Sequence, residues 1–266
     1  MRVLCLFTLI LTLAGCGSAP VLLGSQPLAS TERSYSLARS ALLDEATPTL
    51  DHLDSEKDIV YMQEFGGGGV GLGLLAGPIG VAANVAMINA QTESDAALLR
   101  DKIGIKPRQV FLSRAQGKAL KIAENPGTGG AKIIPYLYVA KTENDQMLLA
   151  AALVIEQGEG ASKWTGTYMY QLPEKYGKQQ LANLDATQRQ RLGGDLALGF
   201  DALIDYITHE QPPVAERSIR FKSDFLSPRF SFEQPGALIS QSDDMAWVRT
   251  FTGVYALRKT NFDLQR

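Results

Sequence analysis

The sequence predicts an α+β fold: an antiparallel sheet packed against helices, with a β-rich C-terminal part. Three observations carry this expectation. Two long apolar runs, 132–141 and 147–156, flank the turn-forming cluster Thr142-Glu143-Asn144-Asp145-Gln146 and read as a hairpin. Leu192, Leu196, Phe200, Leu203 and Ile207 recur at helical spacing through 187–209. Past Gln211-Pro212-Pro213 the chain breaks into short, strand-length apolar segments. Strand, helices, strands, helix and strands in succession, with no internal repeat, is the order of an α+β protein with an antiparallel sheet.

The chain opens with Arg2 and an apolar run over 3–13. A helix that spans a bilayer needs roughly 20 such residues, so 1–15 reads as a secretory signal peptide. Leu13-Ala14-Gly15-Cys16 follows directly and resembles the lipobox of bacterial lipoproteins. That resemblance implies cleavage before Cys16, a diacylglyceryl thioether on its sulfur and acylation of its freed amino group. It makes a membrane the expected partner, held through the lipid anchor. Each buried methylene contributes about 0.8 kcal/mol and one myristoyl chain alone binds only marginally, so two or three chains make release negligible. Gly17 stands where an aspartate would favour retention in the inner membrane of a Gram-negative cell. By the same resemblance the expected location is the periplasmic face of the outer membrane. The chain has two cysteines; Cys5 leaves with the signal peptide and Cys16 is consumed by the lipid. Stability must then come from the core alone, which 45% hydrophobic composition over 266 residues can supply.

Residues 16–30, with Pro20, Gly24 and Pro27 among small residues, read as a lipidated tether. The α+β domain is expected over 31–210. Within it, 31–45 reads as a helix with Tyr35, Leu37, Ala38, Ala41 and Leu42 near one face, ended by Thr47-Pro48. The segment 50–54 around His52 reads as a polar loop, and 59–65, rich in β-branched and aromatic residues, as a strand. Helical patterns follow over 79–100, closed by Gly104 and Pro107, and over 110–123, closed by Asn125-Pro126-Gly127. After the hairpin, 164–172 alternates and extends the sheet. Asp185 with Gln188 resembles a capping box opening the 187–209 helix. The β-rich C-terminal extension, 211–266, is left open as part of the same domain. Its strands are expected over 218–225, 230–232, 237–240 and 245–259, the last with Trp247, Phe251, Tyr255 and Leu257 on one face.

The glycine-rich segment 66–80 admits four readings. Gly66-x-Gly68-x-x-Gly71 matches a dinucleotide fingerprint, yet no acidic residue stands at the required distance and no Walker lysine follows. A spanning helix would carry six glycines between Gly66 and Gly73, at a cost of about 5–6 kcal/mol against Ala. Gly69, Gly73 and Gly77 repeat every fourth residue, the spacing that permits close helix packing. This resembles the glycine-zipper segments of several envelope proteins and implies a surface for self-association. The simplest reading is an ordered loop before a buried Ala-rich helix, with backbone angles that only glycine tolerates.

Composition narrows the function. The formal net charge is −2, and loss of Arg2 leaves 25 basic against 28 acidic residues, without a basic run. Nucleic-acid binding, which needs a concentrated positive surface, is not expected. His52 and His209 are the only imidazoles, with no paired Cys/His spacing for zinc and no G-x-S-x-G nucleophile elbow. Asp195, Asp201 and Asp205 read as one solvated helix face, and Asp243-Asp244 and Asp51 with Asp54 as turn residues. No cofactor, metal or catalytic residue is expected. Trp164, Tyr168 and Tyr170 read as a sheet face packing on a helix, with a ligand groove as the alternative. The expectation is a non-enzymatic, membrane-anchored envelope lipoprotein that binds a protein partner or itself. The alternatives are a membrane-perturbing or pore-associated component using the glycine segment, and an envelope hydrolase working through a carboxylate pair.

Overall fold

A computed structural model describes residues 22–27, 33–38, 50–54, 58–63, 90–118, 120–123, 130–142, 144–210, 217–227 and 233–265. Among the described residues, the first elements are strands β1 (Tyr35–Leu37), β2 (Leu50–Asp54) and β3 (Ile59–Gln63). Helices α1 (90–99) and α2 (Pro107–Gly117) and the short strand β4 (Ile122–Ala123) follow. The longest strands come next: β5 (Ala131–Lys141), β6 (Gln146–Gln157) and β7 (Trp164–Gly177). Helices α3 (Lys178–Ala182) and α4 (Ala186–His209) separate them from β8 (Arg217–Ser223), β9 (Gln234–Gln241), β10 (Met245–Arg249), β11 (Gly253–Arg258) and β12 (Phe262–Gln265).

The expected antiparallel sheet against helices is overturned. One mixed, twelve-stranded sheet dominates, in the order β12-β8-β9-β10-β11-β7-β6-β5-β1-β4, with β3 also on β5 and β2 on β3. The β5–β6–β7 meander is antiparallel, as the apolar runs and their turn require. Strands β1 and β3 on β5, β4 on β1 and β11 on β7 are parallel. The reason lies in the connections. A tight turn joins antiparallel neighbours, whereas parallel ones need a crossover of a dozen residues or more. The connection from β3 to β5 includes α1, α2 and β4, and the one from β7 to β11 includes α3, α4 and β8–β10; both are far longer than a dozen residues. The helices between strands are therefore connections within one sheet, and they pack against one of its faces.

The crossovers cover one sheet face, and the sheet's own curl covers the other. Ile133, Leu137 and Val139 of β5 join α4 in one core, while Ile134, Tyr136 and Tyr138 enter a second core on the opposite face. Burial on both faces is why β5 and β6 are continuous apolar runs. Strands β5 and β8 stand six strand spacings apart, about 29 Å in a flat sheet. Yet the Tyr138 ring lies 5.6 Å from that of Phe225, just past β8. The sheet is rolled, and its inside holds Tyr136, Met169, Phe221, Val248, Tyr255 and Leu257.

Pro135 marks a junction in this sheet. One edge of β5 pairs with β6 along its length, while the other pairs with β1 at Ala131–Ile133 and with β3 at Leu137–Lys141. The Ile133 carbonyl accepts from Ala38 and the Leu137 N–H donates to Asp58, so odd-numbered residues address the divided edge. Pro135, which has no N–H to donate, falls in the gap between the two partners.

Helix α4 matches its sequence pattern closely. The Asp185 carboxylate accepts from the Gln188 N–H at 2.8 Å while the Gln188 side chain accepts from the Asp185 N–H at 3.0 Å. Its stripe Leu192, Leu196, Phe200, Leu203 and Ile207 is buried. Phe200 meets Phe111 of α2 edge to face, and Arg114 of α2 and Lys118 just past its end pair with Asp201 and Asp205. Those two aspartates thus join helices rather than merely facing solvent.

Several expected elements differ. The segment read as a helix over 31–45 contains strand β1, because Tyr35 and Leu37 serve a parallel ladder with β5. The expected loop 50–54 is strand β2, paired with β3. The helix expected over 110–123 starts earlier, at Pro107, and gives way to β4; proline is at home in a first turn. The single strand expected over 245–259 is the hairpin β10–β11. Its turn places Trp247 on the α4 side and Tyr255 and Leu257 inside the roll, so these residues do not share one face. Gly69, Gly73 and Gly77, the strand expected over 230–232, and most of the helix expected from 79 lie outside the described residues.

Gly199 sets the distance between α4 and the sheet. A Cβ built there would stand 2.7 Å from the Ala151 Cβ of β6 and 3.2 Å from the Tyr170 ring, whereas Gly193 and Gly194 face open space. Overpacking costs typically about 1–3 kcal/mol, against a gain of about 0.8–1.0 kcal/mol for replacing a helical glycine by alanine. Gly199→Ala should therefore lower unfolding stability by about 1–2 kcal/mol, and Gly194→Ala raise it by up to about 1 kcal/mol, in urea melts. Equal shifts for the two variants would contradict this packing.

Candidate functional site

One end of the sheet gathers a buried polar cluster from pieces of chain far apart in sequence. Glu210 follows the last turn of α4, and its side chain is fully enclosed. Arg249, the last residue of β10, reaches it with a Nη1–Oε1 distance of 3.1 Å. The second carboxylate oxygen accepts from the Tyr168 hydroxyl of β7 at 2.9 Å and from the Gln26 side-chain amide at 3.2 Å. Arg249 also donates to the Tyr206 hydroxyl and to the Leu23 carbonyl. Arg33 donates to the carbonyls of Ile207 in the last turn of α4 and of Glu210 just past it, satisfying groups of the kind that every helix end leaves open.

This cluster holds the segment 22–27 against the domain. Gln26 is buried and accepts the Tyr35 hydroxyl at 2.7 Å. The Leu23 N–H donates to the Thr250 carbonyl at 2.8 Å, and the Leu23 side chain lies over Gly166, where a Cβ would meet it at 3.2 Å. Residues 22–27, read from the sequence as part of a tether, are thus packed on the domain. Burial pushes the Tyr35 hydroxyl up to about 12, and the Tyr168 hydroxyl rises further through burial and the neighbouring Glu210 charge. Both stay protonated donors at neutral pH.

The opposite end of the sheet holds a second buried carboxylate. Asp95 of α1 accepts from Lys141 at the end of β5 at 2.6 Å, from Lys178 at the start of α3 at 2.5 Å and from the Tyr61 hydroxyl of β3 at 3.0 Å. Burial pushes its carboxyl up, but the hydrogen bonds from the two ammonium groups outweigh burial and hold it below the usual carboxylate range. Asp195, on α4, goes the other way: burial raises it, and its Oδ2 has no partner among the described residues.

The residues singled out from sequence separate under this geometry. Cys16, Gly69, Gly73 and Gly77 lie outside the described residues. His209 stands in the last turn of α4, its Nδ1 2.9 Å from the Asp205 carbonyl, the helix-terminal place expected of it. Tyr168 and Tyr170 pack toward α4, at Tyr206 and Gly199. Among the described residues, no three His, Cys, Asp or Glu side chains gather in a way that could hold a metal, and no helix is long and apolar enough to cross a membrane. Gln26, Glu210 and Arg249 were not singled out from sequence. Each stands next to a strong structural signal, a proline, the end of a helical stripe or an apolar strand, but no local spacing joins them.

No family model and no curated protein matches the chain. One solved structure, described as that of an uncharacterized protein, is 12% identical over 70% of this chain and 95% of its own, with a TM-score of 0.22. That likeness is too slight to carry a fold or a function.

Two outcomes follow from the buried charges. Removing one member of a buried pair strands the other and costs about 3–5 kcal/mol, so Glu210→Ala should lose that much in denaturant melts. It should also expose 22–27 to limited proteolysis before the domain itself is cut. The two aspartates should respond oppositely to acid. Asp95, held low in the fold, contributes stability above its unfolded value near 3.9 that is lost as pH falls toward its folded value. Asp195, held high, costs stability as pH rises from its unfolded to its folded value. Asp95→Asn should flatten the acid limb of the stability–pH profile, and Asp195→Asn should steepen it. A profile unchanged in both variants would contradict these assignments.

Proposed function

We propose that this protein is a lipid-anchored, non-enzymatic domain of the bacterial envelope that presents its surface to a protein partner or to a second copy of itself. The observation that carries the reading is Leu13-Ala14-Gly15-Cys16 directly behind an apolar run of signal-peptide length. Two features of the domain are consistent with it. Residues 22–27 are docked at one end of the sheet, a few residues after Cys16, so a lipid at Cys16 would hold that end toward the membrane. The two fully enclosed carboxylates, Asp95 and Glu210, are each engaged by cations, which is the chemistry of a structural part rather than of a poised acid or base. Gly69, Gly73 and Gly77 remain the residues proposed for self-association.

Metabolic labelling with palmitate tests the anchor. The wild type should incorporate label in a chain beginning at Cys16, and Cys16→Ser should incorporate none and leave the membrane fraction. Absence of label from both would overturn the anchor. Replacing Gly69, Gly73 and Gly77 together by Leu should lower the oligomeric state of the detergent-solubilised lipoprotein. An unchanged state, with partner capture also unchanged, would remove the segment from the association surface.

A further inference from the structure

We infer that the β10–β11 turn is a second, aromatic contact with the lipid surface, in which Phe251 enters the interface beside the lipidated N-terminus. The inference deepens the proposed anchor and rests on it. Phe251 is 61% exposed, one of two large hydrophobic side chains left open among the described residues; the other is Leu198, on α4. Phe251 stands at the middle of the turn Thr250-Phe251-Thr252. The turn is closed by Thr250 N–H donating to the Gly253 carbonyl at 2.8 Å, and the Thr250 hydroxyl accepts from the Thr252 and Gly253 N–H groups and meets the Thr252 hydroxyl. Exposure of the ring therefore belongs to a built turn, not to a loose loop.

What names the occupant is the neighbouring chain. The Leu23 N–H is bonded to Thr250 itself, the residue before Phe251. Seven peptide units separate Leu23 from Cys16, and an extended chain covers at most about 3.3–3.6 Å per residue. A lipid on Cys16 thus lies within about 25 Å of this turn, whatever path the intervening residues take. The same end of the domain is fixed by the Gln26–Glu210–Arg249 hydrogen bonds, so the tether cannot lengthen without breaking them. Phenylalanine is among the apolar side chains that bury at the headgroup–acyl boundary, and such a contact adds orientation to an anchor whose acyl chains already hold the protein. Leu198, on α4 twelve residues and about 18 Å along the helix from Glu210, serves as the internal control.

The test uses the lipidated protein in vesicles of phosphatidylethanolamine and phosphatidylglycerol at three to one. With Cys16 capped by its lipid, Phe251→Cys and Leu198→Cys each offer one thiol for a nitroxide label. Electron paramagnetic resonance power saturation then compares accessibility to oxygen, which concentrates in lipid, with accessibility to a water-soluble nickel chelate. The expected result is a severalfold higher oxygen-to-nickel ratio at position 251 than at 198, falling to the value at 198 when the lipid-free domain replaces the lipoprotein. Equal, water-like ratios at both positions in palmitate-bearing protein would overturn the inference and leave the anchor standing. A chain that carries no palmitate would overturn both.

Discussion

The ion pair between Glu210 and Arg249 is the constraint on which the arrangement of this molecule depends. Neither side chain is in contact with bulk water, and desolvating each charge costs several kcal/mol unless partners replace the lost hydration. Those partners come from α4, from β7 and from residues 22–27, while Arg33 and Tyr35 bond the Glu210 backbone carbonyl and the Gln26 side chain beside them. Hydrophobic burial would tolerate many placements of these pieces, because it has no direction. A buried carboxylate needing donors on both oxygens tolerates few. The pair therefore acts less as a source of stability than as a condition that α4, the sheet and the N-terminal segment must meet together.

A comparable condition operates inside the sheet at β5. Its divided edge needs the parallel strands β1 and β3 to end and begin on either side of Pro135. A residue with an N–H at that place would leave a donor unpaired between two strands, which folded chains rarely tolerate. Proline removes the donor and lets the edge change partner. Asp95, with Lys141 and Lys178, then ties α1 to the far end of β5 and to α3. Both crossover connections are thus pinned to the sheet by charge at one end and by apolar packing along their length.

This division explains what was legible in the sequence. Elements that make their own hydrogen bonds or carry a local period could be read: the capping box and stripe of α4, and the β5–β6 hairpin with its turn cluster. Elements defined by a distant partner could not. Tyr35 and Leu37 fit a helical face as well as a strand, and only the parallel ladder with β5 decides between them. No glycine lies within the turn Thr250-Phe251-Thr252 and only Gly253 follows it, so 245–259 read as one strand. Helices packed on the sheet were legible, but no local signal marks their connections as crossovers between parallel strands. The polar cluster was the least legible part: Gln26 and Glu210 are 184 residues apart, and a hydrogen bond over that separation leaves no trace in spacing.

The docking of 22–27 also changes what a lipid at Cys16 would do. If 16–30 were a free tether, its contour would be on the order of 50 Å, and the domain could turn in any direction above the membrane. With Gln26 and Leu23 held, the free length is about half of that, and its exit point is fixed beside one turn of the sheet. Each bond in the cluster therefore acts twice, once on the stability of the fold and once on the distance and orientation of the domain at the bilayer. The cost of releasing the segment is the cost of opening the Glu210 site. On the proposed anchor, orientation at the membrane is then only as soft as that buried ion pair, and the glycine-rich segment has no need to insert in order to hold the protein at the surface.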